Sequence, residues 1–470
     1  MMKLKIIFFI LLLTGGTFCQ QALQSKLDSL LSDSFFKSTL CAVDVYDLSS
    51  GMPLYRLNNK MLLHPASNMK IITSAAALMY LKKDFSFKTG IFYTGDTKNG
   101  ILSGDIYITG GLDPVLSVAD LDTVISIIKA RGIKEIKGNI YADVSMCDSL
   151  YWGKGWMWDD DPFPDVPYMS SLNINENTIS VSVTGKNAGE KPDVLLEPAT
   201  GYCRVVNNGI CDDNSAGNNI RINRKLINGE NTIIINGSVK AGEIKNAKVS
   251  IVNPADYALT IFKEKLNSAS IIVKGKTLLS KCPAAREEIY TIKHEPDSIL
   301  VWLNKVSDNL SAEMFLRALS VNYYNQPAGA ESGITIIDSL ISKAGFNPGD
   351  YRIVDGSGLS HYNLVSAELL SGILKYIYYA DPVSYRKLYN SFPIAGVDGT
   401  LQGRMAGTAA YNNVHAKTGT LSGVNCLSGY VTAANGNLIA FSIMMQNHVN
   451  NYSKVISFQN QVCDILANYR

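Results

Sequence analysis

The chain has 470 residues, of which 46% are hydrophobic and 18% are charged. This length predicts two or three domains with sizeable cores, and the composition is that of an ordinary globular protein. The formal net charge of +2 gives no electrostatic reason to expect a nucleic-acid partner. The cysteines and the five histidines are scattered, without the spacings of zinc ligands, which argues against a metal site.

The first 19 residues have the features of a secretory signal peptide. Lys3 and Lys5 give a positive end, and Ile6–Leu13 give an apolar core. This run is too short to span a bilayer comfortably and no later segment reaches its length, so we predict no transmembrane anchor. A lipid anchor at Cys19 is the alternative, but the bulky Phe18 stands where lipid-attachment signals have a small residue. We therefore expect an exported protein of the periplasm or the cell envelope.

Residues 20–82 are predicted to form the first part of the main domain. Apolar spacing predicts a helix over Ala22–Phe36, and an alternating pattern predicts a strand at Cys41–Leu48 with a second near Pro53–Leu57. After the turn-prone His64-Pro65 pair, apolar residues again recur at helical spacing. Proline suits the first turn of such a helix, where no backbone N–H is needed.

Residues 83–281 differ in character and are predicted to be an inserted, mostly β region that forms two subdomains. Strand-like runs such as Gly100–Gly110 and Thr178–Val183 dominate, with one clear helix at Val118–Arg131. Turns rich in Asn and Gly are frequent, including Asn228-Gly229. Cys203 and Cys211 flank one such turn and are the only local pair that suggests a disulfide.

Within the insertion, Trp156 and Asp159 belong to an unusual segment that places aromatic side chains beside three consecutive carboxylates. Taken by itself, the segment is interpreted as a buried tryptophan pair, Trp156 and Trp158, under a solvated loop.

Residues 282–470 are predicted to complete the main domain. Helical spacing covers four segments, namely Asp297–Lys305, Ser311–Leu319, Gly333–Lys343 and Tyr452–Leu466. Strands at Leu427–Val431 and Leu438–Met445 are joined by Asn435-Gly436, a strong hairpin signal. Lys417 is therefore expected on, or just before, an antiparallel sheet. The glycines of residues 355–360 and 395–400 predict tight turns that expose backbone.

Ser67 and Lys70 are three residues apart and would lie on one face at the start of a helix. A hydroxyl beside an amine there is a nucleophile beside a candidate base, and the helix dipole favours developing negative charge. The pattern alone is weak, because Ser-x-x-Lys recurs three times in the chain. The other matches are Ser34–Lys37, Ser126–Lys129 and Ser384–Lys387.

Two further motifs strengthen the interpretation of Ser67 and Lys70 as nucleophile and base, because all three motifs follow one another in a set order along the chain. Ser307-Asp308-Asn309 lies between two predicted helices, and Lys417-Thr418-Gly419 lies at the predicted sheet. Other matches to these short patterns do not lie in the expected part of the fold. Lys88-Thr89-Gly90, for example, matches the third motif but falls in the inserted region. Together the three motifs resemble those of the serine penicillin-recognising enzymes, in which they meet in one cleft.

The residues around the motifs narrow the resemblance. The segments HPASNMKIITSAAAL, NKVSDNLSAEMFLRAL, DGSGLSHYNLVSAELL, IAGVDGTLQGRM and HAKTGTLSGVNCLSGYV resemble the D-alanyl-D-alanine carboxypeptidase/endopeptidase family, the low-molecular-mass class C penicillin-binding proteins. The roughly 240 residues between Ser67 and Ser307 agree with the extra domains that this family carries there. The resemblance implies an α+β fold: a transpeptidase-like catalytic domain, an antiparallel sheet flanked by helices, is built from residues 20–82 and 282–470 and carries the inserted region.

The resemblance also implies a mechanism on peptidoglycan stem peptides. Ser67 would be acylated by a terminal D-Ala-D-Ala bond, and Lys70 would act as the base once burial and a nearby charge lower its pKa. Ser307 would relay a proton to the leaving amine, and Asn309 would hold the substrate amide and Lys70. Lys417 and Thr418 would bind the terminal carboxylate.

Further expectations come from the same resemblance. Backbone N–H groups of Ser67 and Thr420 would form an oxyanion hole, with Gly419 permitting close approach. No metal or organic cofactor is needed, and β-lactams are expected as covalent inhibitors. The segment with Trp156 and Asp159 would read a cationic group on the stem peptide. His361 stands where the resemblance leads us to expect an arginine, which bears on recognition of the stem peptide.

Two alternative functions remain at this stage. The first is a β-lactamase or esterase that uses the same cleft, which rapid turnover of a β-lactam would reveal. The second is a non-catalytic envelope protein that keeps the fold for binding. The intact set of motif residues argues against the second. The sequence does not separate carboxypeptidase from endopeptidase activity.

Overall fold

The computed structural model describes residues 20–213, 219–225, 230–324 and 327–470. The predicted signal peptide, with Cys19, and the Asn228-Gly229 turn lie outside the described residues. The helices are α1 (20–31), α2 (Met69–Tyr80), α3 (Val118–Ala130), α4 (Pro254–Ser268), α5 (Pro296–Lys305), α6 (Asn309–Tyr323), α7 (Ala330–Lys343), α8 (Ala367–Ala380), α9 (Pro382–Ser391) and α10 (Tyr452–Ala467). None of these helices is long and apolar enough to cross a membrane.

The described strands range from two to nine residues in length. They are β1 (Leu40–Asp47), β2 (Met52–Leu57), β3 (Phe87–Tyr93), β4 (Thr97–Lys98), β5 (Ile101–Leu102), β6 (Ile106–Thr109), β7 (Glu135–Ile136), β8 (Ile140–Asp143), β9 (Thr178–Thr184), β10 (Asp193–Glu197), β11 (Arg204–Asn207), β12 (Ile210–Cys211), β13 (Arg221–Arg224), β14 (Thr232–Asn236), β15 (Ser238–Val239), β16 (Ile244–Ser250), β17 (Ile272–Val273), β18 (Thr277–Leu279), β19 (Glu287–His294), β20 (His415–Leu421), β21 (Val424–Thr432) and β22 (Leu438–Gln446).

The described chain divides into two compact units. The first contains residues 20–81, Leu300–Asp308 and Gly333–Arg470, and the second contains Lys82–Ile299 and Asn309–Ser332. The second unit extends beyond residue 281, where we placed the end of the insertion. It does so because β19 pairs antiparallel with β3, and because Phe315 of α6 packs edge-on against Phe87.

The first unit is organised around an antiparallel five-stranded sheet in the order β2-β1-β22-β21-β20. The β21–β22 hairpin turns at Asn435-Gly436, as predicted, with Gly436 at a φ of +86°. Buried side chains of α1, α10 and the sheet form one hydrophobic core. Strand β20 is one of the two edge strands. It carries Lys417 and pairs antiparallel with β21, so the predicted position of Lys417 on an antiparallel sheet is confirmed.

The second unit combines several small sheets with helices α3 and α4. The largest of its described sheets has the order β18-β8-β6-β3-β19, and side chains from β3, β6, β8 and β19 share one core with both helices. The predicted run Gly100–Gly110 is two strands in different sheets. It breaks at Gly104, where a Cβ would lie 1.8 Å from the carbonyl oxygen of Thr94. Helix α4 is missing from our prediction, although Pro254 at its first turn is a usable signal.

Most predicted helices are confirmed to within a few residues, and the differences have local causes. Helix α1 ends at residue 31 rather than at Phe36, because Asp33 accepts a hydrogen bond from the N–H of Phe35 and starts a separate 3-10 turn. The predicted disulfide is wrong, since Cys203 and Cys211 are both free and buried. The thiol of Cys211 instead accepts a hydrogen bond from the N–H of Lys186.

Candidate active site

Ser67 lies in a 3-10 turn, Ala66–Asn68, that leads directly into α2. Pro65 precedes this turn. The prediction that Pro65 belongs to the first turn of the α-helix is therefore wrong. Ser67 is partly exposed, whereas Asn68 beside it is fully buried and donates to Ser428 Oγ of β21 at 2.7 Å. This contact holds the turn on the sheet and leaves the Ser67 hydroxyl accessible.

Lys70 lies one residue inside α2 and is fully buried. Its Nζ is 2.9 Å from Ser67 Oγ, so the three-residue spacing brings the amine and the hydroxyl together as predicted. Lys70 Nζ also donates to the carbonyl oxygen of Ser357 at 2.7 Å. Sequence reasoning missed this second contact, although it identified the glycine-rich turn that supplies the carbonyl.

That turn is held in shape by the buried carboxylate of Asp355. Asp355 accepts hydrogen bonds from the N–H groups of Gly358 and Ser360, at 2.9 and 2.7 Å, and from Asn363 Nδ2 at 2.7 Å. Gly358 has a φ of +85°, and a Cβ there would lie 1.8 Å from the carbonyl oxygen of Ala66. A glycine is needed at this position because the backbone of the turn lies directly against the residue before Ser67.

Gly358→Ala is expected to lower the rate of Ser67 acylation roughly 100-fold, because the new methyl group displaces Ala66 and with it Ser67. The measurement is acylation by a chromogenic β-lactam, with thermal unfolding followed in parallel. Gly436→Ala is the matched control, since Gly436 has a similar φ of +86° but no atom within 4 Å of the added Cβ. The control should show only the conformational cost, about 1–2 kcal/mol. Equal rates in the two variants would contradict the expectation.

Ser307 lies between α5 and α6 and adopts a φ of +66°, an uncommon conformation for a residue with a Cβ. Its Oγ accepts a hydrogen bond of 2.8 Å from Nζ of Lys417, so two of the three motifs meet in the first unit. Lys417 is fully buried on β20. Burial holds the pKa of Lys417 well below its ordinary value, and the electrostatic interaction with the neighbouring Lys70 amine lowers this pKa further.

The backbone of strand β20 also lies close to Ser67. A Cβ on Gly419 would lie 3.1 Å from the backbone nitrogen of Ser67, so only a glycine leaves this space open. Thr418 donates its hydroxyl proton to Thr400 Oγ1 at 2.7 Å. Sequence reasoning did not assign Thr400 a role, although it recognised the surrounding turn. Thr420 accepts a hydrogen bond from Asn425 Nδ2 at 3.0 Å.

Of the remaining predicted site residues, Asn309, Trp156 and Asp159 belong to the second unit and His361 belongs to the first. Asn309 begins α6 in the second unit, where Nδ2 donates to the carbonyl oxygen of Asp165. Trp156 is only 6% exposed and packs edge-on against Trp152, but Trp158 is 67% exposed, so the expectation of a buried Trp156–Trp158 pair is wrong for Trp158. Asp159 is exposed. His361 is partly buried in the first unit, with its ring 5.5 Å from that of His64.

Within the ranges that the structure describes, no group of three or more His, Cys, Asp or Glu residues is arranged to hold a metal ion. The groups that do lie close together are the partly exposed hydroxyl of Ser67, the buried amines of Lys70 and Lys417, and the hydroxyl of Ser307. On an antiparallel sheet flanked by helices, this set defines a serine-type acyl-transfer enzyme.

Comparison with known proteins agrees with this class. The model of the D-Ala-D-Ala carboxypeptidase 3 (S13) family matches residues 23–469. The D-alanyl-D-alanine carboxypeptidase of an Actinomadura species is 34% identical over 446 residues, which cover 91% of this chain and 81% of that protein. The chain therefore belongs to the S13 family of D-Ala-D-Ala carboxypeptidases and is a serine-type hydrolase.

Solved structures agree as well. The crystal structure of penicillin-binding protein 4 from Haemophilus influenzae matches with a TM-score of 0.82 at 26% identity, covering 94% of this chain and 99% of the other. Its complex with a β-lactam matches with a TM-score of 0.77 at 27% identity, covering 95% and 99%. These matches confirm the α+β fold and the predicted resemblance.

Proposed function

We propose that this protein hydrolyses the terminal D-Ala-D-Ala bond of peptidoglycan stem peptides through an acyl-enzyme on Ser67. The observation that carries the proposal is the 2.9 Å contact between Ser67 Oγ and the fully buried amine of Lys70. Ser67 Oγ attacks the carbonyl of the penultimate D-alanine and its proton passes to Lys70. The C–N bond then breaks, the terminal D-alanine leaves as an amine that receives a proton through Ser307, and water hydrolyses the ester.

Lys70 has to be uncharged to accept the Ser67 proton. Its complete burial opposes a positive charge, and so does the neighbouring amine of Lys417. The substrate helps to decide which of the two amines is charged. A substrate carboxylate beside Lys417 and Thr418 favours the ammonium form of Lys417, which in turn opposes a charge on Lys70.

Backbone groups supply the remaining part of the proposed active site. The N–H groups of Ser67 and Thr420 are proposed as the oxyanion hole, and the open space at Gly419 lets strand and nucleophile approach. Asn309 is proposed to hold the substrate amide, since it follows Ser307 by two residues at the start of α6. We propose that the protein is exported to the periplasm or the envelope, where this substrate is found.

β-Lactams distinguish this function from that of a β-lactamase. Opening of the ring leaves the nitrogen tethered near Ser67, so water is blocked and the adduct persists. Incubated with benzylpenicillin, the intact protein should gain the mass of one drug molecule on the Ser67 peptide for minutes or longer. Mass spectrometry of intact and digested protein checks this. Catalytic destruction of the drug without an adduct would instead favour the β-lactamase alternative.

Asp159 is proposed to read a cationic group of the stem peptide, because its carboxylate is exposed on a loop rich in aromatic residues. Asp159→Asn should lower kcat/KM about tenfold for peptides that carry a free side-chain amine, and should spare small generic esters. Asp160→Asn on the same loop is the matched control. Equal losses on both substrate classes would assign Asp159 a role in folding. Trp156 then supports this loop from the core and does not contact the ligand.

A further inference from the structure

The hydroxyl oxygen of Thr400 lies 2.7 Å from that of Thr418, and the proposed mechanism gives Thr400 no part. Thr400 is exposed and belongs to a short 3-10 turn, Gly399–Leu401. Thr418 donates and Thr400 accepts in this pair, so the Thr400 proton remains available for another acceptor. Thr418 is one of the two residues proposed to bind the terminal carboxylate of the substrate. A second hydroxyl therefore lies directly beside the proposed carboxylate site.

The segment before Thr400 covers only part of the free edge of β20. The N–H of Ala416 donates to the carbonyl oxygen of Pro393 at 3.0 Å. N–H groups two residues apart point to the same edge of a strand, so those of Thr418 and Thr420 follow Ala416 on this edge. Beyond Ala416, no backbone hydrogen bond joins the described part of this segment to β20. Thr400 thus lies where the edge of β20 becomes open to a substrate.

An ion pair holds the turn of Thr400 against the end of α5. Lys305, in the last turn of α5, places its Nζ 2.6 Å from Oδ2 of Asp398, and the other carboxylate oxygen accepts the N–H of Ile394 at 2.8 Å. The backbones are close as well, because a Cβ on Gly399 would lie 2.5 Å from the carbonyl oxygen of Lys305. The Lys305 side chain is only 17% exposed, so salt screens this pair less than it screens a surface pair.

These contacts close into a ring that includes residues of two of the three motifs. Ser307 follows Lys305 by two residues and accepts a hydrogen bond of 2.8 Å from Lys417 Nζ. Thr418 follows Lys417 and contacts Thr400, which belongs to the turn that Lys305 holds. Each of the three segments therefore contacts the other two, and a shift of Thr400 is opposed from both sides. Recognition of a charged group depends on donors that are held in place in this way.

We propose that Thr400 is a further specificity-determining residue, whose hydroxyl binds the terminal carboxylate of the substrate together with that of Thr418. The inference rests on the proposed function, because it concerns the same substrate. When the carboxylate enters, the Thr418 proton turns from Thr400 to one carboxylate oxygen, and Thr400 donates its own proton to the other. A carboxylate accepts bonds through both oxygens, and bonds to a charged group are stronger than those between neutral groups. Asp398 acts through Thr400 as a positioning residue.

The test uses two thioesters with the same acyl group, N-acetyl-D-alanyl thioglycolate and its methyl ester. The first carries a carboxylate on its leaving group, in place of the terminal D-alanine, and the second carries none. Both give the same acyl-enzyme on Ser67, so a folding defect lowers kcat/KM for both equally. Thr400→Val removes the hydroxyl and keeps the shape of the side chain. It should lower kcat/KM about tenfold for the carboxylate and by less than about twofold for the ester.

Two further variants serve as controls. Thr400→Ser keeps the hydroxyl and should retain at least about half of the wild-type preference for the carboxylate. Thr432→Val, which changes the exposed last residue of β21, should leave both values of kcat/KM unchanged. Equal losses on the two thioesters in Thr400→Val would overturn the inference, and so would no loss on either.

Asp398→Asn tests the positioning role through the sign of its effect. The amide keeps an acceptor for the Ile394 N–H but no longer forms an ion pair with Lys305. Removal of a negative charge would by itself favour the carboxylate, whereas a displaced Thr400 disfavours it, so we expect the preference for the carboxylate to fall about threefold. In the Thr400→Val background, the same substitution should cause no further fall. A rise or no change in the single variant would overturn the positioning role.

The wild-type protein keeps the two proposals separate. If it cleaves both thioesters and forms the benzylpenicillin adduct on Ser67, but Thr400→Val keeps the wild-type values, only the role of Thr400 is refuted. If it cleaves neither thioester and forms no adduct, the proposed function is refuted and this inference with it.

Discussion

Ser67→Ala abolishes hydrolysis of a D-Ala-D-Ala peptide, with an expected loss on the order of 10⁶ in kcat, the scale found when the nucleophile of a serine acyl enzyme is removed. The loss is large because the acyl-enzyme requires the Ser67 oxygen, and the hydroxyl is the group that Lys70 contacts at 2.9 Å. The measurement is release of D-alanine from the peptide under substrate saturation. The variant should also fail to form the benzylpenicillin adduct.

The chain offers matched controls for this variant. Ser34 and Ser126 share the Ser-x-x-Lys pattern but belong to a short 3-10 turn and to the exposed face of α3. Ser34→Ala and Ser126→Ala should keep wild-type activity. Activity above a few per cent of wild type in Ser67→Ala would refute the assignment of the nucleophile.

Lys70→Met lowers the acylation rate by roughly 10³–10⁴-fold, the contribution expected of a positioned general base. Methionine is similar in length and apolar, so it fills the buried site but accepts no proton. Stopped-flow acylation by a chromogenic β-lactam measures the effect, and thermal unfolding shows whether the fold persists. Lys129→Met is the control, because Lys129 is the exposed lysine of the Ser126–Lys129 pair. If Lys70→Met is acylated at a rate within tenfold of wild type, Lys70 is not the general base.

The pH dependence follows from the same pair of amines. Burial and the neighbouring Lys70 amine depress the pKa of Lys417, so Lys417 takes up a proton at a lower pH than a free lysine does. Once Lys70 is protonated it no longer accepts the Ser67 proton, and acylation should fall as the pH is lowered.

Those parts of the site that depend on local spacing were predictable from the sequence. A separation of three residues at a helix start brings Ser67 and Lys70 together in any helix of this kind, and the structure confirms the contact. The Asn435-Gly436 turn likewise set the β21–β22 hairpin, because two residues with the right backbone freedom define it locally. Family resemblance supplied the order of the three motifs and, with it, the class of enzyme.

Other features were beyond local reasoning because they depend on packing between distant segments. From the sequence, the Trp156 ring could face either a ligand or the core. The structure places it in the core, where it packs against Trp152. Cys203 and Cys211 flank a turn, yet the strands around them carry the two thiols to separate buried positions. A sequence shows that two residues are near in the chain, but it does not show where their side chains point.

The sequence by itself determined the class of enzyme, the Ser67–Lys70 contact at the start of α2 and the antiparallel sheet that carries Lys417, since all three follow from short-range patterns and motif order. Only the tertiary structure decided that the Ser357 carbonyl contacts Lys70 and that Ser307 meets Lys417 across 110 residues. The physical reason is that these contacts join segments far apart in the chain. Their geometry is set by how strands and turns pack, as at Gly358, where the backbone leaves no room for a Cβ.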